Sequence, residues 1–124
     1  MRVLICGDRN WNNFRLIEEF IVTLPEGSII IHGNCRGADK ISGYLGRQHG
    51  YHVIAVSAKW EKYGNAAGPI RNQEMLDLYK PELVVAFHND IEHSKGTRNM
   101  VEKARRAGIE VKIIRELSLV AASQ

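Results

Sequence analysis

Five short runs rich in valine and isoleucine recur along the chain at residues 2–6, 28–32, 51–56, 83–87 and 109–115, each of the first four followed by a helix-patterned stretch. Strict alternation of strand and helix dictates a parallel sheet, because two parallel strands need a crossover long enough to hold a helix. The expected fold is therefore an α/β, Rossmann-like three-layer doubly wound sheet of about five strands, with right-handed crossovers and helices on both faces. Run 2–6 is apolar from Val3 on and run 83–87 throughout, as strands buried on both faces require; run 109–115 alternates Val111 and Ile113 with Glu110, Lys112 and Arg115, as an edge strand does. The 124 residues, 44% of them hydrophobic, suffice for one domain spanning 1–115 with a tail at 116–124.

Helix boundaries follow from local chemistry. Asn12 or Asn13 can cap a first helix whose inward residues are Phe14, Leu16, Ile17, Phe20, Ile21 and Leu24, with Pro25 as its stop. The second helix, 38–48, carries Gly43 and Gly46, which cost roughly 1 kcal/mol each against alanine. That cost implies close approach to a neighbour, a second subunit included, and a homo-oligomer is the expected assembly. Residues 57–68 read as irregular, Pro69 suits the first position of a third helix, and Met75, Leu78 and Tyr79 supply its inward face. A fourth helix begins at Gly96-Thr97, buries Met100, Val101, Ala104 and Ala107, and ends at Gly108.

The loops divide by chemistry. Those following strands are rich in Gly, Asn, Asp and Arg, whereas those following helices (Pro25-Glu26-Gly27, Gly50, Lys80-Pro81, Gly108) are short and plain. Ligands of open α/β sheets bind beyond the carboxyl ends of the strands, so the polar loops mark the expected site. In Gly33-Asn34-Cys35-Arg36-Gly37-Ala38-Asp39, backbone amides and the positive end of a helix suit an anion such as phosphate. There Gly33 permits a positive φ, Gly37 lets a ligand approach the backbone, Arg36 can fork onto phosphate, and Asp39 suits either a helix cap or a ribose hydroxyl. An ordinary strand-to-helix turn with a surface arginine fits the same letters.

Other loops add candidates. Asp8 and Arg9, after Gly7, can contact ligand or close their own turn as an ion pair; Trp11, Trp60 and Tyr63 can stack on a base or serve the core. Arg71 and Asn72 fall in the first turn of the third helix, where Arg71 reaches a phosphate or pairs with Glu74 or Glu61. Gly96 and Thr97 repeat the helix-opening pattern with a hydroxyl added. His88 and His93 flank Asn89, Asp90 and Glu92, but no matching ligand set exists elsewhere, so neither metal nor cofactor is expected. Cys6 and Cys35 form no Cys-x-x-Cys pair and read as small apolar side chains near strand ends. A net charge of +3 without Lys/Arg blocks interleaved with aromatics favours a small anionic ligand over nucleic acid. No run reaches the ~18 apolar residues of a membrane span, and the amino end reads into a strand rather than a signal peptide, so the expected location is cytoplasmic.

Four pieces in register, Cys6-Gly7-Asp8-Arg9-Asn10-Trp11, Gly33 to Asp39, Ala67-Gly68-Pro69-Ile70-Arg71-Asn72, and Gly96-Thr97, resemble the small YspA/YpsA-related branch of the SLOG superfamily. The resemblance covers nearly the whole chain. It implies a nucleotide-binding Rossmann-like fold, with relatives that include LOG phosphoribohydrolases, the DNA-processing protein of bacterial transformation and sensors of nucleotide-derived signals. By that likeness Gly33, Arg36, Gly37 and Asp39 would hold a phosphate-containing ligand together with Arg71, Gly96 and Thr97. The chain departs from the hydrolases in two respects. Their Pro-Gly-Gly is replaced by the polar loop 88–95, and the position of their glutamate is Met100. A thioether neither activates water nor stabilises an oxocarbenium ion. The expectation is a binding module, a sensor or a sequestering protein. The alternatives are an N-glycosidase using Asp39, Arg71 or Glu74, and a single-strand DNA binder.

Overall fold

The computed structural model describes residues 1–116. Strands β1 (Arg2–Gly7), β2 (Ile29–His32), β3 (His52–Ala55), β4 (Leu83–Phe87) and β5 (Glu110–Ile114) form one parallel sheet in the order β3-β2-β1-β4-β5. Helices α1 (Phe14–Ile21) and α2 (Ala38–Gln48) cover one face; α4 (Ala67–Tyr79) and α5 (Gly96–Arg106) cover the other. The period of two along β1 sorts its side chains: Val3 and Ile5 face α1 and α2, while Leu4 and Cys6 face α4 and α5. Both faces are therefore buried, and β1 and β4 are apolar without alternation for that reason. Strands β3 and β5 are only partly buried at the two edges. No helix among the described residues is long and apolar enough to cross a membrane.

Strand order reverses between β1 and β4, since β2 and β3 are laid on one side of β1 and β4 and β5 on the other. The loops leaving β1 and β4 must diverge there, opening a crevice at the carboxyl edge. The end of β5 is tied to both loops: Glu116 accepts from Asn13 Nδ2 at 3.2 Å and Asn89 Nδ2 at 3.3 Å, and its amide donates to Asn89 Oδ1 at 2.8 Å.

Several expectations need correction. Asn13 caps α1 through the Leu16 amide, but Phe14 is half exposed, because the inward stripe starts one turn later at Ile17. The stretch 57–68 contains a short helix α3 (Trp60–Tyr63) and a 3-10 turn (Gly64–Ala66), so α4 opens at Ala67 and Pro69 is its third residue. Pro69 remains within the first turn, where no amide has a helical acceptor. Leu78 is 70% exposed and Leu76 is buried in its place. The stripe of α4 runs through Asn72, Met75, Leu76 and Tyr79, and two polar residues at its start disguise its phase. Ala107 is the exposed C-cap residue of α5 rather than part of its buried face. Gly43 and Gly46 serve the protomer itself: a Cβ at Gly43 would meet the His32 ring, and one at Gly46 would stand 2.7 Å from Ile30 Cδ1. The tail expected at 116–124 lies, beyond Glu116, outside the described residues.

Candidate functional site

A cavity of about 430 Å3 occupies the crevice between the loops after β1 and β4. Its floor is Cys6, Met75 and Met100, from β1, α4 and α5. Gly7, Asp8 and Arg9 enter from the first loop, and Gly33, Arg36 and Asp39 from the second. Helix α4 adds Arg71 and Asn72, while the start of α5 adds Gly96 and Thr97. Asn34, Gly37 and Ala38, expected at the site, do not line it, and neither does Glu74. None of Trp11, Trp60 and Tyr63 lines it either. Trp11 is in the core, edge-on to Phe87 at 5.7 Å with its Nε1 donating to the Asn13 carbonyl. Asn10, Cys35, His88, Ser94 and Lys95 complete the wall without having been named as ligand-binding residues. For Ser94 and Lys95 the signal was present, since they directly precede the Gly96-Thr97 opening.

The second loop is built for self-contact. Positive φ falls on Asn34 (59°) and Gly37 (76°), not on Gly33. Asn34 is turned outward by its amide, which donates to His32 Nδ1 at 2.9 Å, and its side chain donates to Ser57 Oγ. His32 is buried and neutral: burial first, then Arg47, Lys40 and Arg71, pushes its pKa down to about 4. Gly37 lacks a Cβ because one would collide with the backbone carbonyls of Asp8 and Arg9, so its closeness serves the first loop and not a ligand. Gly33 has the analogous role toward α4, where a Cβ would stand 2.7 Å from Arg71 Nη1 and 3.0 Å from Asp39 Oδ2.

Contrary to expectation, the α2 N-terminus is largely closed. The Ala38 amide donates to the Asp8 carbonyl and the Lys40 amide to the Cys35 carbonyl, both at 3.1 Å. Gly37, not Asp39, is the N-cap residue. The α5 N-terminus is open: the Gly96 and Arg98 amides find no acceptor among the described residues, and the Thr97 amide takes only the Ser94 hydroxyl at 3.2 Å. A Cβ at Gly96 would meet nothing within 4 Å.

Arg71 is buried and pairs with neither Glu74 nor Glu61. Its Nη1 donates to the carbonyls of Gly33 and, at 3.4 Å, Val56; its Nε donates to Asn72 Oδ1 at 3.0 Å. Asn72 Nδ2 in turn donates to Asn99 Oδ1 at 3.1 Å and to the Gly96 carbonyl at 3.4 Å. One Arg–Asn relay thus locks the second loop, α4 and the first turn of α5 into fixed register. Asp39, 6% exposed, accepts the Cys35 amide at 3.2 Å. Burial raises its pKa to about 6 against the pull of the Cys35 and Gly33 backbone and of Arg71. The same burial, with Asp39 nearby, pushes the Cys6 thiol far up. Asp8 and Arg9 form no ion pair; Asp8 Oδ1 instead accepts the Asn10 amide at 2.8 Å, and Arg36 donates to Asn10 Oδ1 at 3.3 Å. The cavity therefore has a cationic rim (Arg9, Arg36, Lys95), free helical amides at one end and a buried carboxyl at the other.

Comparison with known proteins bears on the family and the fold. A family model of the YspA, cpYpsA-related SLOG family (YAcAr) matches residues 1–63, which hold the first two loops. The Gene 61 protein of Mycobacterium phage D29 is 34% identical over 119 residues, covering 89% of this chain and 93% of that protein. Among solved structures, DNA processing protein A (DprA) from Streptococcus pneumoniae matches with a TM-score of 0.77 at 19% identity over 99% of this chain. The present chain spans 53% of that one, about half its length, and the likeness is one of fold.

Proposed function

Because the chain belongs to the YspA, cpYpsA-related SLOG family, we propose that its cavity binds a nucleotide or nucleotide-derived ligand, as a sensor or sequestering module. The open α5 N-terminus under a cationic rim carries this reading. Unsatisfied amides at the positive end of an 11-residue helix attract anions, and Lys95, Arg9 and Arg36 add positive charge to the same cavity. The apolar floor of Cys6, Met75 and Met100 suits the flat, weakly polar part of such a ligand.

Gly96→Asp tests the reading with little risk to the fold. The new side chain has open space, and a carboxylate at a helix N-terminus stabilises by about 0.3–1 kcal/mol. The same charge would occupy the anion site. Native mass spectrometry of the full chain with a pool of nucleoside mono-, di- and triphosphates should show adducts that this variant loses at least tenfold, with its melting temperature unchanged or raised. Undiminished adducts would move the ligand elsewhere.

Hydrolysis of an N-glycosidic bond is a second reading, favoured by one observation. Asp39 lines the cavity with a pKa raised to about 6, as a proton-donating carboxyl needs. Met100 lines the cavity where the hydrolases carry glutamate, so the residue best suited to water activation is missing. Release of free base from the same pool would establish turnover.

A further inference from the structure

Resting on the cavity as a nucleotide site, we infer that Asp39 is a specificity-determining residue that receives the vicinal hydroxyls of a ribose and selects ribosyl over 2′-deoxyribosyl ligands.

Asp39 is more than nine-tenths buried, yet its hydrogen bonding is incomplete. Oδ2 accepts the Cys35 amide and the Gly33 backbone also pulls on the carboxyl, whereas no hydrogen bond within 3.5 Å reaches Oδ1 among the described residues. No fully enclosed side-chain oxygen or nitrogen among the described residues is left without a partner, so Oδ1 retains contact with the cavity. Arg71 pulls its pKa down from nearby but forms no ion pair with it. The Arg71 donors are directed to the carbonyls of Gly33 and Val56, to Asn72 and, from Nη2 at 3.9 Å, to Cys35 Sγ. A buried carboxylate with an unmet oxygen is costly unless a ligand supplies donors.

The charge distribution fixes which part of a nucleotide arrives there. A phosphate beside Asp39 would set anion against buried anion, and the adjoining Ala38 and Lys40 amides of α2 are already taken by backbone carbonyls. The phosphate therefore belongs at the α5 N-terminus, where amides are free. The Arg71–Asn72 pair spans the two ends, from the Gly33 carbonyl beside Asp39 to the Gly96 carbonyl at the start of α5. The group reaching Asp39 is thus the one bonded directly to the phosphate, the sugar, and the base extends outward. Ribose offers two adjacent O–H donors to a carboxylate; 2-deoxyribose offers one.

Titration calorimetry of the full chain would use the ribonucleoside 5′-monophosphates of adenine, guanine and cytosine, each with its 2′-deoxy counterpart, and inorganic phosphate. A hydrogen bond to a charged group commonly changes affinity about tenfold or more, so at least one ribo form should bind about tenfold tighter than its deoxy partner. Asp39→Asn should reduce that ratio to within about twofold while phosphate still binds. Should Asp39→Asn fail to fold, Asp39→Ser replaces it, and the wild-type ratio is decisive in its own right. Equal ribo and deoxy affinities, or a ratio that survives at Asp39→Asn, would overturn the inference while leaving the nucleotide site intact. Failure of every probe, phosphate included, would overturn the site and the inference together.

Discussion

Helices α2 and α5 both open at the carboxyl edge of the sheet behind a glycine-bearing loop, and both read as anion cradles from their residues. They differ in what meets their first amides. At α2 the Asp8 carbonyl, drawn close because Gly37 has no Cβ, takes the Ala38 amide; at α5 no carbonyl arrives and the glycine faces open space. Gly-rich loop chemistry is thus equally suited to packing backbone on backbone and to receiving a ligand. Which use prevails depends on what the rest of the chain brings to the loop.

The sharpest way to break the contrast is Gly37→Val. With φ at 76° and two backbone carbonyls in the way, the branched side chain should cost on the order of 4 kcal/mol or more in urea unfolding. A well-folded Gly37→Val protein would mean that the two loops do not seal α2. Arg71→Ala comes next. It leaves the Gly33 carbonyl, the Val56 carbonyl and Asn72 Oδ1 without their donor, which should lower stability by roughly 2–4 kcal/mol and loosen ligand binding at α5 through Asn72. If stability holds and only affinity falls, Arg71 acts on the ligand directly.

The smallest of the three effects has the opposite sign. Above pH 6 the Asp39 carboxyl is ionised whether the chain is folded or not, and burying that charge costs stability. Between the unfolded pKa of 3.8 and the folded value of about 6 the folded chain holds the extra proton, so the penalty shrinks as pH falls. Asp39→Asn should therefore stabilise the unliganded protein at pH 7 by about 2–3 kcal/mol, and the gain should fade by pH 4. A gain that is the same at pH 4 and pH 7 would show that the carboxyl does not titrate near 6.

The fold was legible because it rests on periodicity. The apolar runs around Val3 to Ile5 and Leu83 to Phe87 have no other use than a sheet buried on both faces. The candidate site was legible as an edge and as a set of loops: Asp39, Arg71 and Gly96, all named from the sequence, line one cavity there. What could not be read is pairing at a distance. Nothing local to Arg71 says that its donors go to carbonyls of β2 and β3 loops 38 and 15 residues away. Likewise, nothing in Gly37 says that its neighbour is Asp8. Leu78 was misplaced for a related reason: Arg71 and Asn72 carry polarity into the buried stripe, so the apolar letters alone give the wrong phase.

The tie from Glu116 to Asn13 and Asn89 bears on how this protein can be handled. It delivers the carboxyl end of β5 to the rim side of the sheet, whereas the carbonyl of Met1 pairs with the Ile29 amide at the opposite side. A fluorescent protein or surface anchor joined at the amino end would project away from the cavity. Joined after residue 116, it would depart beside the two loops that open it and crowd the approach of a ligand. The amino terminus is thus the attachment point for immobilised binding assays.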